Sequence, residues 1–141
     1  MLSPLKTCST IVTLFGLCAG LLAVEPTNES LKVVKENITT RKAVLLDVRE
    51  QDEWDAGHLE HAAHLPLSKI ETGTAGQDLT KLAPKDSIVY LHCAAGARSL
   101  QAAQLLQKHR RDLRPLQPGY HDLLKAGFPK AKKLSGHTVA P

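Results

Sequence analysis

The sequence predicts an α/β domain built on a mainly parallel sheet. Segments with strand character alternate along the chain with segments of helical periodicity, a pattern typical of parallel strands joined by crossover helices. Two short runs, Ala43–Val48 and Ile88–His92, are almost continuously apolar, as expected of strands that helices cover on both faces. The chain has 141 residues, which is enough for one ordinary domain with its own core and too few for two.

The first half of the chain contains one clear helix, one buried strand and several shorter elements. Leu31, Val34 and Ile38 recur at helical spacing, and Asn28 or Ser30 can cap this helix. After the strand at Ala43–Val48, the sequence predicts a short helix at Gln51–Ala56 ended by Gly57, an edge-like segment at His64–Leu67, a polar loop at Thr72–Asp78 and a turn at Pro84–Asp86.

The second half predicts the order strand, helix, strand, helix. Apolar and glutamine stripes at helical spacing predict a helix at Arg98–His109, directly after the strand at Ile88–His92. Asp112–Leu116 is a third candidate strand, and Tyr120–Ala126 has the pattern of a helix, with Gly127 at the left-handed cap position. We expect residues 130–141 to form a basic, flexible tail.

Composition excludes several classes of protein. Hydrophobic residues make up 43% of the chain and charged residues 23%, so the chain is not disordered throughout. Eighteen basic and fourteen acidic side chains give a net charge of +4. The excess is not gathered into a stripe, and only 4% of residues are aromatic, so we expect no nucleic-acid partner.

The first 23 residues have the pattern of a signal peptide. Lys6 precedes an uncharged stretch, Thr7–Val24, whose apolar part is only Ile11–Leu22, and a bilayer span needs about 20 apolar residues. We expect cleavage after Ala23, with Gly20 as the second choice, and export to the periplasm or the outside of the cell. The alternative is a retained anchor, which would be the protein's only membrane contact.

Export would leave a single cysteine in the mature chain. Residues 24–28 form a linker, and removal of residues 1–23 eliminates Cys8 and Cys18 but retains Cys93. A lone cysteine in an oxidising compartment has no partner within its own chain for a disulfide. The Cys93 thiol is therefore either a small core residue or a reactive group.

The segment Cys93–Ser99 has the features of an anion-binding loop. Cys93 ends a predicted strand, the small residues Ala94, Ala95, Gly96 and Ala97 follow, and Arg98 and Ser99 begin a helix. Small residues let successive backbone N–H groups converge on one centre, and a helix N-terminus adds its positive dipole end. Together with an arginine, these groups favour a thiolate at Cys93. We therefore expect Cys93 to be a nucleophile, with residues 94–99 binding the substrate.

Two other charged groups have simpler interpretations. Asp47 and Arg49 are expected to be structural, with Arg49 paired to Glu53. His58, His61 and His64 are three residues apart, but glycine and proline bracket this run and no further ligand supports it. We expect no metal and no cofactor.

Several motifs, taken together, resemble the rhodanese homology domain. They are Leu46–Arg49, Glu53–Trp54, Gly57–Leu59 and Pro66 in the first half, Cys93–Ser99 as the active-site loop, and Pro118–Tyr120 and Ala126–Pro129 as the closing segment. The resemblance covers residues 29–129. His61 and Pro118 depart from it, because the family usually has glycine there.

The resemblance implies both a fold and an activity. The fold is a central five-stranded, mainly parallel sheet with helices on both faces. The activity is sulfur transfer through a persulfide on Cys93, from a small anionic donor such as thiosulfate to cyanide or a thiol, in two covalent steps.

Two alternatives remain open from the sequence. The first is a persulfide carrier or partner-docking module without rapid turnover. The second is a cysteine-based phosphatase, although those enzymes place five residues between cysteine and arginine and this chain places four. The sequence does not predict an oligomeric state.

Overall fold

A computed structural model describes residues 23–109 and 111–132 of the chain. The strands are β1 (Ala43–Asp47), β2 (Ala62–His64), β3 (Ile88–His92) and β4 (Asp112–Pro115). The helices are α1 (Leu31–Thr39), α2 (Gln51–Ala56), α3 (Leu67–Glu71), α4 (Ala75–Leu82), α5 (Ala97–Leu106) and α6 (Tyr120–Lys125), and a short 3-10 helix at Gln107–His109 extends α5.

The four strands form one parallel sheet in the order β2-β1-β3-β4. β1 and β3 are the central strands, and their register places Asp47 beside His92. All four carboxyl ends therefore meet at the same edge of the sheet, where α/β proteins bind their ligands. The predicted α/β fold class is confirmed.

Helices cover the sheet on both faces, and each face has its own apolar core. Alternate residues of the central strands point to opposite sides, so Leu46 and Leu91 pack with α3, α4 and α5. Leu45 and Tyr90 pack with α1 and α6 on the other side. Burial on both faces accounts for the continuous apolar runs in β1 and β3.

The described residues contain four strands, not the five that the resemblance implied. The candidate for an additional edge strand is the segment before α1, which runs beside β4. It makes one backbone hydrogen bond to that strand, from Thr27 N–H to Pro115 O at 2.9 Å. The next N–H on that side of the segment, that of Glu29, lies 3.3 Å from the Thr27 hydroxyl oxygen and donates to it, so it does not extend the pairing to β4.

Most predicted elements are confirmed, but the region after α2 differs. Ser30 caps α1 by accepting a hydrogen bond from Val33 N–H at 3.4 Å. The edge strand β2 lies at Ala62–His64, just before the expected segment, and α3 follows it. Thr72–Asp78 is not a loop throughout, because α4 begins at Ala75 within it.

The chain after α6 stays packed on the domain beyond residue 129, where the predicted domain ends. Lys130 pairs with Leu59 in an isolated antiparallel bridge, and Ala131 N–H donates to His58 O at 2.9 Å. The ordered chain thus continues two residues into the segment expected to be a tail. The predicted signal peptide, up to residue 22, and residues 133–141 lie outside the described residues. Within the described part, no helix is long and apolar enough to cross a bilayer.

Candidate active site

Cys93 lies directly after β3, at the carboxyl edge of the sheet. The residue is 1% exposed, and its Sγ accepts a hydrogen bond from the Gly96 N–H at 3.1 Å. Its carbonyl accepts from Tyr120 N–H at 2.8 Å. The sulfur is therefore held at the base of the loop, where it faces a backbone donor.

The loop after Cys93 owes its shape to Gly96. Gly96 has φ of +89°, a conformation that L-residues with side chains rarely adopt. A Cβ at this position would lie 2.5 Å from the carbonyl oxygen of Gln117. Leu100 N–H donates to Gly96 O as α5 begins, which leaves the preceding amides of this helix without intrahelical acceptors.

A second segment packs against the loop from the β4–α6 connection. A Cβ on Gly119 would lie 1.7 Å from the Ala94 carbonyl oxygen, so only glycine permits this approach. Ala94 and Ala95 are exposed on the other side. The sequence indicated Gly119 only through the family motif, because contact between segments 25 residues apart has no local pattern.

The Ser99 side chain stabilises the loop from inside the protein and is not exposed at the loop surface. The residue is fully buried, and its hydroxyl lies 2.6 Å from Gly96 O and 2.8 Å from Leu116 O. A hydroxyl within reach of two carbonyls, and out of contact with solvent, ties α5 to β4. The expectation that the Ser99 side chain contacts substrate is therefore corrected.

Arg98 lies at the rim and is paired with Glu53. Its two terminal nitrogens donate to the Glu53 carboxylate at 2.5 and 2.8 Å. This bond to Arg98 lowers the pKa of Glu53 to about 2, and the same pairing raises the pKa of Arg98. Glu53 therefore stays ionised and links α2 to the loop. Arg49 reaches Glu53 only at its backbone carbonyl, 3.4 Å from Nη1, so the expected ion pair between their side chains does not form.

Arg49 instead forms a buried cluster with Asp47 beneath the loop. Its Nη2 lies 2.6 Å from Asp47 Oδ2 and donates to Gly57 O at 2.9 Å. The guanidinium also stacks 4.0 Å from the centre of the Tyr120 ring. Both ions are almost fully buried, which agrees with the predicted structural role of this pair.

A cleft of about 300 Å³ opens beside the loop. Its lining combines one loop residue with polar groups from α2, α6 and the chain after α6: Arg49, Glu53, Ala56, Gly57, Ala94, Tyr120, His121 and Lys130. Sequence reasoning did not find this cleft, because its walls come from segments that are distant in the chain.

The histidine run does not form a metal site. The His58 and His64 rings both stack on Trp54, with ring centres 3.7 and 4.6 Å away. His61 is exposed and belongs to no such stack. Within residues 23–109 and 111–132, no group of acidic, cysteine and histidine side chains could hold a metal ion.

Comparison with known proteins shows which family this chain belongs to. The family model for the rhodanese-like domain matches residues 30–137, most of the chain. The chain belongs to the rhodanese-like domain family. In this rhodanese-like domain, Cys93 and the loop after it occupy the carboxyl edge of the sheet, as described above.

Two curated relatives are sulfurtransferases by name. The chain is 35% identical over 100 residues to the probable adenylyltransferase/sulfurtransferase MoeZ of Mycobacterium tuberculosis. It is 32% identical over 71 residues to the thiosulfate sulfurtransferase GlpE of Coxiella burnetii. The matches cover 71% and 50% of this chain, but only 20% of MoeZ and 61% of GlpE.

A solved structure supports the same family. The human single-domain sulfurtransferase TSTD1 superposes with a TM-score of 0.60 at 25% identity. The match covers 72% of this chain and 96% of the human protein. The fold around β1, β3 and the Cys93 loop is therefore one that occurs in a single-domain protein.

The two departures from the family pattern need no special backbone conformation. His61 and Pro118 replace glycines that the family usually has. Among the described residues, Arg41 is the only non-glycine with a positive φ. The turns at His61 and Pro118 thus tolerate a side chain.

Proposed function

We propose that this rhodanese-like domain is a sulfurtransferase that uses Cys93 as its nucleophile. It takes a sulfur atom from a small anionic donor, with thiosulfate as the best candidate, and passes it to cyanide or a thiol. The observation that supports this proposal most directly is the 3.1 Å hydrogen bond from Gly96 N–H to Cys93 Sγ, at the base of a loop whose polar groups are mostly backbone amides.

The first step forms the persulfide. The Cys93 thiolate attacks the outer sulfur of thiosulfate, the sulfur–sulfur bond of the donor breaks, and sulfite leaves with the bonding electron pair. In the second step the acceptor attacks the outer sulfur of the persulfide, and Cys93 leaves as a thiolate. The two steps balance without an added oxidant or reductant and predict ping-pong kinetics.

Backbone dipoles supply the charge stabilisation in both steps. Ala94, Ala95 and Ala97 offer no polar side chains, so the anionic donor contacts amides of the loop and of the first turn of α5. These donors are fixed before the reaction, and they stabilise the negative charge of the thiolate and of the persulfide alike. Support comes from Gly96 and Gly119, which hold the loop in its curled shape.

Arg98 contributes by closing the rim. Its guanidinium is oriented by both oxygens of Glu53, and these bonds use two of its five N–H donors, which leaves others for the anionic donor. A cysteine-based phosphatase would place five residues between the cysteine and the arginine. The four-residue spacing of this chain favours sulfur transfer.

We also propose that the mature protein works outside the cytoplasm, in the periplasm or beyond. The support is the sequence of residues 1–23, with its basic residue followed by a short apolar run. Cleavage there leaves Cys93 as the only cysteine of the protein.

Mass spectrometry and kinetics test the activity. We expect intact wild-type protein exposed to thiosulfate to gain one sulfur atom, and Cys93→Ser to gain none. Steady thiosulfate:cyanide turnover should fall to background in Cys93→Ser, because removal of a nucleophile abolishes the covalent path.

Three results would contradict this proposal. A stable persulfide without turnover would make the protein a carrier, and Cys93-dependent hydrolysis of an aryl phosphate would make it a phosphatase. Turnover that survives in Cys93→Ser would exclude Cys93 as the nucleophile. Cys93→Ala, which removes the hydroxyl that serine retains, serves as the second variant in each assay.

A further inference from the structure

The cleft beside the Cys93 loop contains a buried hydroxyl without a partner. Tyr120 is only 6% exposed, and its hydroxyl has no hydrogen-bond partner among the described residues. It nevertheless lines the cleft. A buried hydroxyl is normally hydrogen-bonded, so this one is positioned to bind a ligand group that enters the cleft.

Lys130 brings a cation to the same place. A Cβ built on Gly57 would lie 3.0 Å from Lys130 Nζ and 3.1 Å from the Tyr120 hydroxyl. The same point lies 2.7 Å from Lys130 Cε, so the Lys130 side chain packs directly on Gly57 and brings its ammonium group beside the Tyr120 hydroxyl. Lys130 makes no ion pair with any carboxylate in the described part of the chain.

Surrounding contacts fix the Tyr120 ring and the backbone of Lys130. The Arg49 guanidinium stacks on the Tyr120 ring at 4.0 Å and donates to Gly57 O, while Asp47 holds Arg49 from below. The backbone of Lys130 is held by its bridge to Leu59. A donor that is fixed in advance, as the Tyr120 hydroxyl is, loses little entropy when it binds.

The remaining charges of the cleft are already neutralised. Arg98 compensates Glu53, and Asp47 compensates Arg49. Among the charged side chains that line the cleft, Lys130 is then the one without an ion-pair partner in the described residues. His121, which also lines the cleft, is exposed. One cation and one neutral hydroxyl donor that line the same cleft, close to each other, match an oxyanion such as a carboxylate.

We propose that Tyr120 and Lys130 bind the carboxylate of the sulfur acceptor, so that the natural acceptor is a small organic thiol bearing a carboxylate. The proposal rests on the sulfurtransferase function argued above and adds the acceptor class. The cleft volume of about 300 Å³ corresponds to about ten water molecules, more room than an inorganic donor needs. Ala94 at the cleft wall places such a thiol next to the loop that carries the persulfide.

A comparison of two acceptors tests the proposal. 3-Mercaptopropionate carries the carboxylate, 2-mercaptoethanol is a neutral thiol of similar size, and thiosulfate is the donor for both. The measured quantity is kcat/KM for 3-mercaptopropionate divided by kcat/KM for 2-mercaptoethanol. In Lys130→Gln this ratio should fall about tenfold, the usual effect of losing a charge-assisted hydrogen bond. Intrinsic differences between the two thiols cancel when this ratio is compared across proteins.

Two further variants complete the design. Tyr120→Phe keeps the ring stacked under Arg49 and removes only the hydroxyl, so the ratio should fall about fivefold. Lys132→Gln removes an exposed lysine two residues away and should keep the wild-type ratio. An unchanged ratio in Lys130→Gln and Tyr120→Phe overturns the proposal. A raised KM for thiosulfate with an unchanged ratio assigns the oxyanion to the donor and also overturns it.

A binding measurement separates this site from the proposed reaction. In Cys93→Ser protein, 3-mercaptopropionate should shift the backbone amide NMR signals of residues 119–131, while 2-mercaptoethanol should not. Lys130→Gln in the same background should abolish the shift. If the wild-type protein forms no persulfide, the sulfurtransferase proposal fails but this titration still decides the carboxylate site. No shift would overturn the site even in an active enzyme.

Discussion

At the scale of single residues, His92 is an unusual neighbour for the proposed nucleophile. It precedes Cys93 in the chain and is fully buried in the central strand β3. Burial lowers the pKa of His92 to about 4, although Asp47, 3.6 Å away, acts in the opposite direction. His92 is therefore neutral near pH 7 and adds no charge beneath the loop.

Neutral His92 makes stability depend on pH. An unfolded histidine takes up a proton near pH 6.5, whereas folded His92 resists until about pH 4. Stability is therefore complete above pH 6.5 and is lost as pH falls from 6.5 towards 4. Urea denaturation should give a free energy of unfolding about 2 kcal/mol lower at pH 5 than at pH 7 from this residue alone.

Replacement of His92 gives the control for this prediction. The fall between pH 7 and pH 5 should shrink by about 2 kcal/mol in His92→Gln and persist in His61→Gln, where the lost imidazole is exposed. If His92→Gln does not fold, NMR titration of the wild-type imidazole decides the matter. Protonation of His92 with a midpoint near pH 6.5 would contradict the prediction.

The same residues mark how far the sequence could predict the site. Cys93 and the small residues after it follow one another in the chain, so local pattern placed them correctly at the end of a strand. The pairing of Arg98 with Glu53 joins residues 45 apart, and local spacing favoured Arg49 as the partner. Only the fold decides which carboxylate an arginine reaches.

At the scale of elements, the reactive loop depends on the segment packed against it. Gly96 and Gly119 allow the β4–α6 connection to contact the backbone of residues 94–96. Tyr120 N–H, at the start of α6, donates to the Cys93 carbonyl. The loop and the connection therefore pack as one unit, and we expect a change in either one to displace Cys93.

A pair of glycine substitutions tests this coupling. Gly96 and Gly127 both have positive φ, at +89° and +83°, but only a Cβ on Gly96 meets backbone, 2.5 Å from Gln117 O. Gly96→Ala should cost roughly 2–3 kcal/mol of stability and lower kcat about a hundredfold, because the loop must shift. Gly127→Ala should cost about 1 kcal/mol and keep the wild-type kcat.

Urea denaturation and thiosulfate:cyanide kinetics measure the two effects. Equal losses of kcat in the two variants, or a fully active Gly96→Ala, would refute the coupling. If Gly96→Ala is too unstable to assay at 25 °C, persulfide formation at a temperature where it is folded provides the second readout.

Elements with strong periodicity were predicted well, and weakly patterned ones were not. The short apolar runs of β1 and β3 and the helical repeat of α5 predicted these elements within one or two residues of their bounds, apart from the 3-10 turn that ends α5, and the repeat at Leu31, Val34 and Ile38 predicted α1. α4 begins inside Thr72–Asp78, where glycine and threonine favour a loop by composition. There Ala75 and Leu79 pack into the core, and tertiary burial outweighs local propensity.

At the scale of the whole molecule, the residues of the candidate site lie at one edge of the sheet. The parallel register aligns the ends of β1 and β3. Arg49, which follows β1, and Ala94, which follows Cys93, therefore both line the cleft. Under the proposed mechanism, an acceptor bound in the cleft would lie next to the loop that carries the sulfur.

The last prediction concerns processing of the chain in a bacterial host. Expressed with its own N-terminus, the protein should be exported and cleaved after Ala23. Leu14→Arg, which places a charge inside the apolar run, should leave it uncleaved in the cytoplasm, because signal peptides need an uninterrupted apolar segment. Lys6→Arg keeps the basic flank and should be exported normally.

Cell fractionation, intact mass and thiol titration check this outcome. The exported chain should contain one thiol after denaturation, from Cys93, whereas the uncleaved chain contains three. Recovery of the three-thiol form in the membrane fraction would instead establish the retained anchor. Recovery of the wild-type chain in the cytoplasm would refute export, and the sulfurtransferase chemistry would then operate beside cytoplasmic thiols.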